Sequence, residues 1–157
     1  MRFELSYQEI QQFIKEHLHR DVDLQCVEPN VLKMTLHLTI KKIVTFHLDA
    51  SADLTLSVYD KDLYVDYKAL PIKGDKLNKL FLPAFMDFAA PNIVNVILDY
   101  YYNKYPQYKH VIEQVPNACR LRIHLDAIPQ LEKVLKLVKI ETFIPREDYL
   151  QIIGQLR

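Results

Sequence analysis

Val44-Thr45-Phe46-His47-Leu48-Asp49-Ala50-Ser51-Ala52-Asp53-Leu54-Thr55-Leu56-Ser57-Val58 decides how the rest of this chain is read. Every even position is apolar and every odd position between is polar. Period two marks a strand with one wet face and one dry face. No Gly or Pro interrupts it. At about 3.3 Å per residue the stretch spans roughly 50 Å, against about 5–6 residues for a typical strand. A domain of this length has a diameter of roughly 40 Å. The expectation is therefore a long curved sheet that closes over something apolar.

The neighbouring segments continue the pattern. Val22, Leu24 and Cys26 alternate, and Glu28-Pro29-Asn30 reads as a turn. Leu32, Met34, Leu36, Leu38 and Ile40 alternate again. A turn at 28–30 sets Cys26 opposite Leu32. A connection at 41–43 sets Ile40 opposite Val44 and Leu38 opposite Phe46. A two-residue loop at 61–62 sets Val58 opposite Val65 and Leu56 opposite Tyr67. Each pairing matches apolar to apolar, because a slip of one residue would expose a whole face. Residues 21–70 thus read as a four-stranded antiparallel meander.

At the N-terminal end, Met1-Arg2-Phe3-Glu4 leads into a helix. Ser6-Tyr7-Gln8-Glu9 is a capping box, and Ile10, Phe13, Ile14 and Leu18 form the inward stripe. After Leu70-Pro71-Ile72-Lys73-Gly74 the period changes. Leu77, Phe81, Phe85 and Phe88 recur every three or four residues, which is helical, with Pro83 and Pro91 as kinks. From Asn92 to Lys104 the polar positions form a narrow stripe, so this helix is expected to be buried on most sides. A strand follows over 118–126, then a helix from Pro129 to Leu137. A closing hairpin is expected over 138–144 and 149–156, with a helical turn at 149–153 as the alternative. The expected fold is α+β, a long, strongly curved antiparallel sheet wrapped around a long kinked apolar helix, in a single domain over 1–157.

Composition excludes several function classes. Lys plus Arg equals Asp plus Glu at 20 each, so nucleic acid is not an expected partner. With two glycines there is no phosphate-cradling loop. None of the serines sits in a nucleophile elbow. No apolar run is long enough to span a membrane. The start carries no export signal, so the expected location is cytoplasmic; a chain trimmed of such a signal would read the same. Cys26 and Cys119 show no C-x-x-C spacing and read as reduced thiols, with a structural disulfide as the alternative.

The chemistry-bearing side chains mostly read as surface groups. His37 and His47 are expected opposite each other on the wet face. They could hold a metal only if His124 or Asp49 joined them; the plainer reading is two solvated histidines. Asp49 and Asp53 are too far apart along one strand to share a proton. Arg120, Arg122, Lys133, Lys136 and Lys139 form either a solvated face or a patch for an anionic headgroup. Tyr100, Tyr101, Tyr102, Tyr105 and Tyr108 either fill the core or line a mouth facing an amphipathic ligand or a membrane. No catalytic residue, metal or cofactor is expected.

The order of elements resembles the small single-module members of the tubular lipid-binding superfamily. Leu82–Tyr108, which ends in Asn103-Lys104-Tyr105-Pro106-Gln107-Tyr108, and Arg120–Gln155, which begins Arg120-Leu121-Arg122-Ile123-His124-Leu125, carry the resemblance. It implies an apolar tunnel between helix and sheet that holds a lipid tail. The expected function is non-enzymatic binding of a lipid or other apolar small molecule in a groove between helix and sheet. Its lining would be Phe46, Leu48, Leu54, Leu56, Phe81, Phe85, Phe88, Ile93, Ile97, Tyr100 and Tyr101. Transient membrane contact and a homodimer are further expected partners. The alternative is a structural or protein-interaction module whose groove is filled by its own side chains or by a second copy.

Overall fold

Residues 1–41, 45–70, 73–74, 99 and 102–157 are described by the computed structural model of the chain. In chain order they form β1 (Arg2–Ser6), α1 (Tyr7–Leu18), β2 (Asp21–Glu28), β3 (Val31–Lys41), β4 (Thr45–Tyr59) and β5 (Asp62–Ala69). Then come β6 (Lys73–Gly74), β7 (Ile112–Gln114), β8 (Arg120–His124), α2 (Pro129–Leu137), β9 (Val138–Pro145) and β10 (Tyr149–Leu156). Short 3₁₀ turns cover Pro106–Tyr108 and Leu125–Ala127.

From Thr45 onward the alternating stretch is one uninterrupted strand, as its pattern requires. In the larger sheet the strand order is β2-β3-β4-β5-β8-β7. β4 is long enough to pair with β3 along one edge and with both β5 and β6 along the other. Asn30 and Asp60 turn the β2–β3 and β4–β5 hairpins with left-handed backbones, at φ 65 and 55, a conformation that Asn and Asp tolerate.

Cys26 faces Leu32, as the turn chemistry predicts. The next two registers lie two residues from the expected ones. Leu38 faces Leu48 rather than Phe46, and Leu56 faces Val65 rather than Tyr67. A shift of two keeps every side chain on its face, so apolar matching is blind to it. The second shift also moves the turn to Asp60-Lys61.

A second sheet, in the order β1-β10-β9, is built from the two ends of the chain. β1 is absent from the sequence expectation, because Arg2–Ser6 is too short to show a period against the helix that follows. The Ser6–Glu9 capping box is present and starts α1 immediately after it. β10 shifts register at Ile153 and Gly154. A Cβ at position 154 would stand 2.8 Å from the Lys139 carbonyl oxygen, so only glycine lets β9 approach there.

The expected α+β architecture, a curved sheet around a long kinked apolar helix, is corrected. Among the described residues the chain is mostly antiparallel sheet with short helices, and no long kinked apolar helix is present. The expected helix falls largely on 75–98 and 100–101, outside the described residues. The reason lies in what covers the dry face of β3 and β4. Tyr7, Leu32 and Leu150 form a buried cluster, with Ile10, Leu24, Cys26, Leu54, Leu56 and Phe143 packed on it. There α1 and the second sheet supply the cover, so the body is sheet against sheet. The hairpin over 138–156 forms as expected, and the helical alternative for 149–153 does not. Among the described residues no helix is long and apolar enough to cross a membrane.

Candidate functional site

The densest set of charged groups lies on the wet face where β5, β8 and β7 run side by side. β5 places Asp62 and Asp66 outward, β8 places Arg120, Arg122 and His124 outward, and β7 adds Glu113. Register sets Asp66 opposite Arg120 and Asp62 opposite His124, with Glu113 opposite Arg122. Arg120 donates from Nε to Asp66 at 2.6 Å. Arg122 donates to Asp62 Oδ2 from Nε at 2.9 Å and from Nη2 at 2.5 Å. His124 Nδ1 lies 2.8 Å from Asp62 Oδ1, and its Nε2 lies 3.4 Å from Glu113. The Tyr64 ring faces both guanidiniums, 5.4 Å from Arg120 and 6.0 Å from Arg122.

Burial pushes the Asp62 carboxyl up. The hydrogen bonds from Arg122 and His124 outweigh burial and hold it below the ordinary carboxylate value. A carboxylate–imidazole pair orients a general base in many hydrolases. Here both ring nitrogens of His124 face carboxylates, and among the described residues no hydroxyl or thiol hydrogen-bonds to the ring. The arrangement acts as a cross-strand ion-pair ladder that fastens the β5–β8–β7 end of the sheet.

The expected His37–His47 pair is corrected by the same two-residue shift. His37 faces Asp49, and His47 faces Thr39. His37 Nε2 is 2.6 Å from Asp23 and Nδ1 is 2.6 Å from Asp49. A ring that donates to a carboxylate from each nitrogen is an imidazolium. The hydrogen bond to Asp23, then that to Asp49, raises its pKa. His124 does not join it: it pairs with Asp62 of β5, whose partner on β4 is Tyr59, ten residues from Asp49, roughly 30 Å along the strand. Among the described residues no group of His, Cys, Asp and Glu is arranged to hold a metal ion.

A raised folded-state pKa stabilises the fold fully below the unfolded value, and the contribution is lost as pH rises through the folded value. His37→Asn therefore costs about 0.5–1 kcal/mol in mildly acidic buffer, and the cost fades in alkaline buffer. Urea midpoints of both proteins at the two pH values check this. An equal gap at both would mean that the charge of His37 is not what holds the three strands.

The expected basic patch is largely neutralised. Arg120 and Arg122 are paired as above, and Lys136 bonds Glu132 one turn away. Of the aromatic cluster, Tyr102 donates to the Ile112 carbonyl, and Tyr105 meets Tyr108 edge-on at 6.2 Å. Burial raises the Tyr102 pKa.

Of the expected apolar lining, Leu48 is buried, and Leu54 and Leu56 pack against the Tyr7–Leu32–Leu150 cluster. Phe46 belongs to β4 by its backbone. Phe81, Phe85, Phe88, Ile93, Ile97, Tyr100 and Tyr101 lie outside the described residues. Two concavities along α1 are open rather than enclosed and are lined mainly by polar side chains, Gln8 and Gln12 in both.

Sequence reasoning missed the apolar edge strand. Phe3 and Leu5 of β1 stay 45% and 41% exposed. They share a face with Ile152 and Leu150 of β10, the latter buried. The alternation Phe3-Glu4-Leu5 is too short to signal a strand by itself. No family model, curated protein or solved structure matches this chain, and nothing in those comparisons identifies the tubular lipid-binding superfamily.

Proposed function

We propose that this chain is a non-enzymatic interaction module that joins its uncovered apolar surface to another protein chain. The observation that carries this reading is β1, an edge strand whose apolar side chains stand beside the core without being covered by it. Exposed apolar surface at a sheet edge is costly to leave open and marks association sites. Leu137 and Leu156, exposed where α2 meets β9 and β10, add a second such place. The expected lipid groove keeps less support, since α1 and the second sheet already cover the dry face at Leu32, Leu54 and Leu56. The free thiols of Cys26 and Cys119 fit a reducing compartment such as the cytoplasm.

Native mass spectrometry with light scattering on the purified chain tests the reading. The expected result is protein–protein assemblies that carry no small-molecule adduct and weaken when Phe3 and Leu5 are both replaced by Ser. A stoichiometric lipid on a monomeric chain would overturn it.

A further inference from the structure

Resting on the interaction reading, we infer that the occupant of the β1 edge is a second copy of this chain, paired antiparallel about a two-fold axis through Phe3. Among the described residues β1 ends the strand order of its sheet, with β10 on one side only. Met1 and Gly154 exchange backbone hydrogen bonds, and the Tyr7 N–H donates to the Asp148 carbonyl. Odd residues of β1 thus turn their backbone groups toward β10. Arg2 and Glu4 turn theirs away from the sheet, since direction alternates along a strand. β1 holds no Pro, no Lys and no bulge, and its two charges, Arg2 and Glu4, are of opposite sign.

Side chains then select the partner and the register. With Phe3 facing Phe3 of the second copy, Arg2 faces its Glu4, and Glu4 faces its Arg2. Met1 faces its Leu5. Every pair is apolar with apolar or plus with minus, and the two faces of the sheet stay distinct. Arg2 and Glu4 already share the outer face, 2.9 Å apart and half exposed, so the charges that must meet are in place. Moving the axis to Glu4 sets carboxylate against carboxylate, and moving it to Arg2 sets guanidinium against guanidinium. Like charges directly opposite are destabilising.

The chosen register is also the one the backbone permits. Arg2 and Glu4 of each copy form two hydrogen-bonded pairs, giving four backbone hydrogen bonds. Phe3 becomes the closer non-hydrogen-bonded pair, where side chains meet best. The two three-stranded sheets join into one of six strands, closed by symmetry so that the contact does not propagate. A five-residue strand makes an interface at the small end, below about 1,200 Å², so dissociation on the order of micromolar is expected.

Sedimentation velocity across the micromolar range is the experiment, with far-UV circular dichroism and the urea midpoint as controls for folding. The wild-type chain dimerises. Glu4→Arg sets an arginine against Arg2 of the second copy and weakens the dimer by about tenfold or more. The double exchange R2E/E4R restores the opposite-charge pairs and returns dimerisation to near the wild-type level. Self-association that ignores E4R overturns the β1 dimer while leaving the interaction reading standing. So does a folded double variant that stays monomeric. A monomer with stoichiometric lipid overturns both.

Discussion

Leu32→Ala is expected to lower the unfolding free energy by about 3 kcal/mol. Leu32 is 5% exposed and faces Cys26 on one side and Leu54 on the other. Its cluster also holds Tyr7 of α1 and Leu150 of β10. One side chain therefore joins the long sheet to both elements that cover it. Truncation removes buried methyl groups and leaves a void that two hydrogen-bonded sheets cannot collapse to fill. Urea denaturation reads the loss. Tyr59→Ser is the comparison: Tyr59 is 76% exposed, and its removal should shift stability by about 0.5 kcal/mol or less. Similar losses for the two would mean that Leu32 is not at the junction of the sheets.

Asp62→Asn is expected to cost about 2 kcal/mol at neutral pH. The Asp62 side chain is only 14% exposed and takes hydrogen bonds from Arg122 and His124. Asn keeps the shape but brings an amide N–H toward groups that are themselves donors, and removes the charge opposite a guanidinium. The pH dependence follows from the lowered folded-state pKa of Asp62. Its contribution is present above the unfolded value, near 3.8, and is lost as pH falls through the lower folded value. The gap between wild type and D62N is thus full at pH 7 and closes in strong acid. Midpoints measured at both pH values check it; a gap that persists in acid would mean that packing, not charge, is lost.

Much of the larger sheet was readable in advance because its information is local. Alternation from 44 to 58 needs no knowledge of neighbours, and the capping box at Ser6 is closed by a residue three positions away. The Pro129–Leu137 helix and the final hairpin carry equally local signals. The wet-face groups were legible one by one, but their partners were not. His37 was read against His47 and meets Asp23 and Asp49 instead. Arg120 and Arg122, expected as a solvated face or a patch for an anionic headgroup, are held by Asp66, Asp62 and Glu113. Each depends on a register that apolar matching defines only to within two residues.

What the sequence determined by itself is which face of each strand is wet and which is dry, and that β4 runs unbroken. Those follow from side-chain period, a property of the chain alone. The tertiary structure decided which strands lie beside which, that the two ends build a second sheet, and that this sheet with α1 closes over Leu32 and Leu54. Those depend on backbone hydrogen bonds between residues as far apart as Met1 and Gly154. A five-residue strand has too little period to announce itself until β10 is beside it.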